Sequence, residues 1–175
     1  MLPTIFLGLF GIATADINAP LPYPISDLQI YEQAKIANGD FDVDEQLSAN
    51  IATGSPEKLN ARNKSPPPLC NQNIGNPWTP TDVLYINNGI TYLRGKGSCG
   101  VNPRSCARIS CSYQAAIFLC NDRNDFIAPS CAYLASYAQD IVNRCQFFSS
   151  FKKWQVAGQE FDTDNYNVVV RAAAC

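Results

Sequence analysis

The eight cysteines of this chain all lie between Cys70 and Cys175. An even number of cysteines confined to one segment predicts a disulfide framework of up to four bridges, although the sequence leaves the pairing open. Each bridge typically adds about 2–4 kcal/mol to the stability of a small domain. We therefore expect a cysteine-rich domain over residues 69–175, cross-linked by Cys70, Cys99, Cys106, Cys111, Cys120, Cys131, Cys145 and Cys175.

Residues 1–15, MLPTIFLGLFGIATA, form an apolar run that ends in Ala13-Thr14-Ala15. The run is shorter than the roughly 20 residues that a membrane-spanning helix needs. Its small-residue end is typical of a secretory signal peptide, with cleavage before Asp16. The alternative is a buried N-terminal strand or helix. A signal peptide predicts a secreted, extracellular protein, and this is also the environment in which disulfides persist.

Residues 16–68 differ from the rest of the chain because they are acidic and contain no cysteine. They end in Pro66-Pro67-Pro68, and a proline run is extended and cannot continue a helix or a central strand. We interpret 16–68 as a loosely structured pro-segment or linker, with a solvated tail as the alternative. The sequence Asn63-Lys64-Ser65 predicts glycosylation at Asn63.

Two apolar periodicities predict helices in the cysteine-rich domain. The first helix has Thr79 as its predicted N-cap, stops at Gly95 and buries Val83, Ile86, Ile90 and Leu93. The second begins after Ser130 and buries a stripe made of Cys131, Leu134, Ala138, Ile141, Val142 and Cys145. Because two cysteines lie on this stripe, we expect bridges from helix to sheet, with Cys111 or Cys120 as partners. Cys70 and Cys175 are then candidates to join the ends of the domain.

Four segments have the patterns of strands. Residues 106–113 alternate apolar and polar side chains, as a half-buried strand does, and residues 115–120 are apolar on both faces, as in a central strand. Further strands are predicted over 154–157 and 167–172. The order helix–strand–strand–helix–strand–strand predicts an α+β two-layer sandwich, in which two helices pack on one face of a four-stranded antiparallel sheet.

The chain contains no histidine, and this excludes several classes of site. A Ser-His-Asp triad, a Cys-His pair and a histidine zinc site are all impossible. The acids of the domain form two groups that we interpret as turn residues, which makes an acid-pair hydrolase the minor alternative: Asp122 with Asp125, and Glu160 with Asp162 and Asp164. We expect no enzymatic activity, no metal and no cofactor. The net charge of −2 argues against nucleic-acid binding.

Exposed tyrosine, tryptophan and arginine side chains are favoured at recognition surfaces. Tyr85 and Tyr92 lie seven residues apart and share one face of the first predicted helix. They belong to a candidate binding surface that also contains Arg94, Lys96, Arg104, Arg108 and Trp154. The alternatives are half-buried packing for the aromatic residues and simple solvation for the basic ones.

The domain resembles fungal secreted effectors that carry the necrosis-inducing-factor domain, and the killer-toxin-like α/β sandwich. The resemblance rests on the helix DVLYINNGITYL, the GSCG before the first strand, the apolar hairpin, the helix SCAYLASYAQDIVNRC and the turn VAGQEF before NVVV. It implies a protein that acts on a host or competitor without a cofactor. We expect a monomer whose partner is a host or competitor protein, a membrane component or a wall carbohydrate, with virulence or cell death as the outcome and later entry into host cells as an option. The alternative is a secreted module that binds carbohydrate or cell wall.

Overall fold

A computed structural model describes residues 20–26, 28–31, 63–71 and 78–175. Its two helices are α1 (Val83–Arg94) and α2 (Cys131–Cys145). The described strands are β1 (Ile25–Ser26), β2 (Gln29–Tyr31), β3 (Lys64–Cys70), β4 (Thr81–Asp82), β5 (Ser98–Gly100), β6 (Ser105–Ser112), β7 (Ala115–Asn121), β8 (Phe147–Phe148), β9 (Trp154–Val156), β10 (Gly158–Asp162) and β11 (Tyr166–Ala172). The predicted signal peptide lies outside the described residues.

Both predicted helices are confirmed, and each buries its predicted apolar stripe. The predicted N-cap of α1 is wrong. Asp82, not Thr79, caps the helix, and its carboxylate accepts a hydrogen bond of 2.9 Å from the Leu84 N–H. The chain stays extended up to this point because β4 pairs with β9, so helical geometry begins only at Val83.

The α+β class is confirmed, but the predicted four-stranded antiparallel sheet is wrong. The main sheet has six strands in the order β1-β6-β7-β11-β10-β3, and its β1–β6 pair is parallel. The predicted strand over 154–157 lies instead in a separate sheet of order β4-β9-β8, and β10 takes its place beside β11. Strand β2 pairs with β5.

The two faces of the main sheet pack against different parts of the chain. Both helices lie on one face and form the larger core with apolar side chains of β6, β7 and β11. On the other face, Trp78 packs with Phe118 and Val169, and Leu21 and Tyr23 lie against this second cluster. The predicted placement of two helices on one face is therefore confirmed.

All eight cysteines are paired, as the sequence predicted. The bridges are Cys70–Cys145, Cys99–Cys131, Cys106–Cys120 and Cys111–Cys175. The two cysteines of α2 do join strands, but the expected partners Cys111 and Cys120 are wrong, since β3 and β5 supply the sulfurs. The expected Cys70–Cys175 bridge is wrong as well. Partner choice depends on which strands lie at the two ends of α2, and strand order is not a local property of the sequence.

Three strands come from the segment that we interpreted as a pro-segment or linker. Strands β1 and β2 lie within residues 20–31, and the predicted boundary at 68/69 falls inside β3. The proline run lies on β3, an edge strand of the main sheet. An edge position suits proline because one side of the strand needs no ladder hydrogen bonds. Removal of 16–68 stays a prediction.

Candidate functional site

An open cleft lies between α1 and the second half of β6. Its volume is about 380 Å³. Two residues of the predicted binding surface, Tyr92 and Arg108, lie in its wall. Among the described residues, the lining consists of Leu28, Asn88, Gly89, Tyr92, Arg108, Ile109, Ser110, Cys111 and Ser112.

Three features of the backbone shape the cleft. A Cβ atom at Gly89 would lie 2.5 Å from the Ser110 Oγ and 3.1 Å from the Ile117 Cδ1, so glycine permits α1 to approach β6 closely. Strand β1 pairs with only two residues at the start of β6. In the described part of the chain no strand covers the outer edge of residues 108–112, and the β6–β7 register shifts between Arg108 and Ser110. Such bulges redirect side chains beside binding sites.

The lining combines an aromatic ring with hydrogen-bonding groups. Tyr92 is 45% exposed, and the Asn88 amide and the hydroxyls of Ser110 and Ser112 lie beside it. An exposed tyrosine with several donors and acceptors can stack on a ligand and fix its orientation. The chemistry of the lining therefore suits the binding of a ligand.

The two tyrosines of α1 have different environments, and only Tyr92 lines the cleft. The Lys96 Nζ lies 5.0 Å from the ring centroid of Tyr92, which places a positive charge over an exposed ring. Tyr85 is half-buried and stacks on Tyr113, with 4.5 Å between the ring centroids. Packing thus accounts for Tyr85, whereas Tyr92 is available to a partner.

Arg108 is held in place by the C-terminal residues. Its Nη1 donates a hydrogen bond to the carbonyl of Ala174. The next residue, Cys175, is tied back to β6 through its disulfide with Cys111. The guanidinium therefore has a defined position at the cleft, and less conformational freedom is lost when it binds a partner.

The other three residues of the predicted surface lie apart from the cleft. Arg94 connects the helices through Gln139, with 3.5 Å between its Nη2 and the Oε1. Arg104 donates from Nε to the Asn124 Oδ1 at 2.9 Å. Trp154 lies in the β8–β9 hairpin. The structure therefore divides the predicted surface: only Tyr92 and Arg108 line the cleft, and Arg94, Arg104 and Trp154 lie in three other places.

The amide of Asn63, the predicted glycosylation site, already has a partner. Its Nδ2 donates to the Asp164 Oδ2 at 3.1 Å. A glycan would be joined to this same nitrogen, so glycosylation would have to replace or rearrange that hydrogen bond. Glycosylation at Asn63 stays a prediction.

A buried cluster of acids and tyrosines lies between β10 and α2. Glu160 and Asp162 alternate with Phe161 along β10 and are 2% and 5% exposed. The Tyr137 hydroxyl donates to the Asp162 carboxylate, and the Tyr133 hydroxyl lies 2.8 Å from that of Tyr137. The sequence placed these acids in a turn, and for Glu160 this is wrong because it lies within a strand.

Lys64 of β3 and Asp140 of α2 complete the cluster, with 2.5 Å between the Nζ and the Oδ2. The Glu160 Oε2 is buried and has no hydrogen-bond partner among the described residues. Burial raises the pKa of Glu160 to about 7; the charge of Lys64 opposes the rise, while Asp140 and Asp162 add to it. Glu160 therefore changes its charge near neutral pH.

The buried acids do not form part of the cleft. A glycosidase needs two carboxyl groups that reach the bond to be broken. Glu160 and Asp162 instead lie under α2, where the Tyr137 hydroxyl bonds one of them. These contacts make the two acids a polar part of the core, and the protonation of Glu160 affects the stability of the fold. Among the described residues, no group of three or more metal-ligating side chains is gathered in one place.

No family model matches this chain, and no curated protein or solved structure matches it either. In the described part of the chain, neither helix has the length and apolar character needed to cross a membrane. Four disulfides are consistent with an extracellular environment. Fold and chemistry therefore define the class: an α+β protein that is cross-linked by four disulfides and carries an open cleft lined by apolar and hydrogen-bonding side chains.

Proposed function

We propose that the chain is a secreted effector or toxin-like protein of a fungus, which acts by binding a host or competitor target and is not an enzyme. The observation that carries the proposal is the cleft between α1 and β6. Tyr92 and Arg108, which the sequence singled out for recognition, both line it. The resemblance to fungal effectors of the necrosis-inducing-factor type supports the biological setting.

The reactive groups of the chain support binding rather than catalysis. Histidine is absent, and every cysteine is in a disulfide, so neither a histidine base nor a thiolate nucleophile is at hand. The two buried acids of β10 lie away from the cleft. We propose that the protein acts as a secreted monomer without cofactor or nucleic acid.

The proposal is tested by infiltration of purified, oxidised protein into plant tissue over a series of doses. We expect a visible response, and we expect Tyr92→Ala to need at least about tenfold more protein because it removes an exposed aromatic anchor. Leu84→Ala is the matched control, since Leu84 is 60% exposed on the same helix but does not line the cleft. Equal responses from Tyr92→Ala, reduced protein and wild type would contradict the proposal.

A secreted carbohydrate-binding module is the second candidate, and the lining of the cleft favours it. A tyrosine ring beside an amide and two hydroxyls offers stacking together with hydrogen bonds to sugar hydroxyls. A pull-down on chitin, glucan and cellulose tests it. Saturable retention that is lost in Tyr92→Ala and kept in Leu84→Ala would support this candidate. The absence of retention on all three polysaccharides would remove it.

A further inference from the structure

The hairpin of β8 and β9 presents three aromatic side chains to solvent. Phe148 is 58% exposed, Phe151 79% and Trp154 52%. All three lie within one short stretch, FFSSFKKW, at residues 147–154. Single exposed apolar residues need no explanation, but a contiguous group of large ones marks an interaction surface. We call Phe148, Phe151 and Trp154, together with Lys152 and Lys153, the hairpin patch.

The hairpin patch is held in a defined shape. The Ser149 N–H donates to the Lys153 carbonyl at 2.8 Å, and the Lys152 N–H donates to the Ser149 carbonyl at 3.0 Å. The rings of Phe148 and Trp154 meet edge to face, with 5.5 Å between their centroids. Strand β9 is further fixed by pairing with β4. The aromatic side chains therefore project from an ordered turn, which lowers the entropic cost of binding.

Basic residues lie next to these rings along the chain. Lys152 and Lys153 lie in the turn, and Arg144 is exposed in the last turn of α2, just before the hairpin. Asp82 is the acid nearest to the lysines in the described contacts, with its Oδ2 3.6 Å from the Lys153 Nζ. Residues 147–154 themselves contain no acid. Aromatic rings beside lysines suit the boundary between the headgroups and acyl chains of an anionic bilayer.

We propose that the hairpin patch docks the protein on the surface of an anionic lipid bilayer. Phe151 and Trp154 enter the headgroup region, and the lysines contact lipid phosphates. This goes beyond the proposed function, because it assigns a second surface and a different partner and does not depend on the cleft.

The chemistry of the hairpin patch favours a bilayer over a sugar. The rings of Phe148 and Trp154 are tilted by 66°, so they do not form a flat platform for a pyranose ring. None of the five side chains of the hairpin patch carries a carboxylate or an amide, the groups that bind sugar hydroxyls, and the carboxylate of Asp82 beside it is paired with Lys153. Phenylalanine at the most exposed position suits acyl chains, because its ring has no polar group to keep hydrated.

The test is sedimentation of the oxidised full chain with vesicles of phosphatidylcholine alone or of phosphatidylcholine with phosphatidylserine. We expect binding only to the anionic vesicles and weaker binding at high salt. Phe151→Ser should lower the affinity about tenfold, because it removes an apolar ring that the bilayer would otherwise take out of water. Lys152→Gln should lower it roughly fivefold, which corresponds to about 1 kcal/mol for one lysine near an anionic surface.

Phe126→Ser is the matched control, since Phe126 is 41% exposed in a different loop. It should bind the vesicles like the wild type, and so should the cleft variant Tyr92→Ala. Thermal unfolding of each variant shows whether it has kept its fold. Binding that is the same for Phe151→Ser and Phe126→Ser, or for neutral and anionic vesicles, would overturn the proposal. So would retention on polysaccharide or on a protein partner without any vesicle binding.

Tryptophan fluorescence gives a second, independent readout. The chain has two tryptophans, and Trp78 is only 1% exposed. A blue shift on addition of anionic vesicles would therefore come from Trp154 as it leaves water. An unchanged spectrum at saturating lipid would contradict insertion of the hairpin patch. Because neither readout involves tissue response, failure here and failure of the proposed function are separate results.

Discussion

Glu160 is a buried residue whose charge state affects the stability of this fold. Its carboxyl is buried beneath α2, and no hydrogen bond satisfies its Oε2 among the described residues. Burial raises the pKa of Glu160 from its ordinary value of 4.5 to about 7. The charge of Lys64 on β3 opposes this rise, while the charges of Asp140 on α2 and Asp162 on β10 add to it.

We expect the protein to lose stability as the pH rises through the window from about 4.5 to about 7. The folded state holds the Glu160 proton more tightly than the unfolded state, so folding is favoured below this window and penalised above it. The full effect amounts to about 3 kcal/mol at most. The measurement is urea unfolding at about pH 5 and about pH 8.

Glu160→Gln should be almost insensitive to pH over the same range. Histidine, which would titrate in this window, is absent from the chain. Asp125→Asn is the control, because Asp125 is exposed and its hydrogen bond with Arg123 lowers its pKa, so it titrates below the window. A wild-type protein that is equally stable at both pH values would contradict this account of Glu160.

At the scale of single residues, the sequence predicted part of the candidate site. Tyr92 and Arg108 could be found because their side chains are typical of recognition surfaces. Glu160 was missed because β10 reverses the usual pattern: Glu160 and Asp162 are buried, while Phe161 between them is 36% exposed. Nothing local marks this reversal, since it depends on Lys64 and the tyrosines of α2, which are distant in sequence.

At the scale of elements, β10 and β3 meet α2 closely at Gly158. A Cβ atom there would lie 2.8 Å from the Leu69 carbonyl oxygen and 3.2 Å from the Cys145 Sγ. The first of these atoms belongs to the backbone of β3 and cannot rotate away. The Cys70–Cys145 bridge fixes the same place from the side of α2. This junction therefore has no room for a larger residue.

Gly158→Ala should destabilise the fold by about 2 kcal/mol, because the added methyl group forces β3 and β10 apart. Gly95→Ala at the end of α1 is the matched control. Its added Cβ would find only the Tyr92 carbonyl oxygen, at 3.6 Å, and we expect a change below about 0.5 kcal/mol. Urea midpoints measure both. Equal stability of the two variants would show that the junction at Gly158 can relax.

The helices were predictable as elements, whereas the sheet was predictable only in part. Each helix carries its own signal, a stripe of apolar residues at helical spacing. Strand partners have no such signal: β9 has the composition of a core strand, yet it pairs with β4 and β8. The same holds for β1 and β3, whose positions at the sheet edges depend on contacts distant in sequence.

At the scale of the molecule, the four disulfides differ in how much of the chain they close. Cys70–Cys145 spans 75 residues, whereas Cys106–Cys120 spans 14 within one hairpin. In the chain-entropy description, a bridge stabilises the fold more when it closes a longer loop. The cysteine count predicted that the cysteines form disulfides. The pairing was not predictable, because it depends on where β3, β5 and the C-terminal residues lie in the fold.

Replacing Cys70 and Cys145 by serine should cost about 1.5 kcal/mol more than replacing Cys106 and Cys120 by serine. Thermal or urea unfolding of the two double variants measures the difference. Mass spectrometry of the oxidised wild type, digested without reduction, checks that all four pairs are the ones described. A larger loss of stability in the Cys106/Cys120 double variant than in the Cys70/Cys145 double variant would contradict the ranking by loop length.

The three strands from residues 20–70 are attached to the molecule in unequal ways. Strand β3 is linked covalently to α2 through Cys70, whereas β1 and β2 contain no cysteine and adhere through backbone hydrogen bonds and side-chain contacts. A protease that cut between residues 31 and 63 would therefore leave a nicked, two-piece molecule with a dissociable N-terminal arm. Loss of that arm would bare the parallel edge of β6 and free Leu21 and Tyr23 from the second core. Proteolysis would then irreversibly expose the surfaces of the sheet that the N-terminal arm covers.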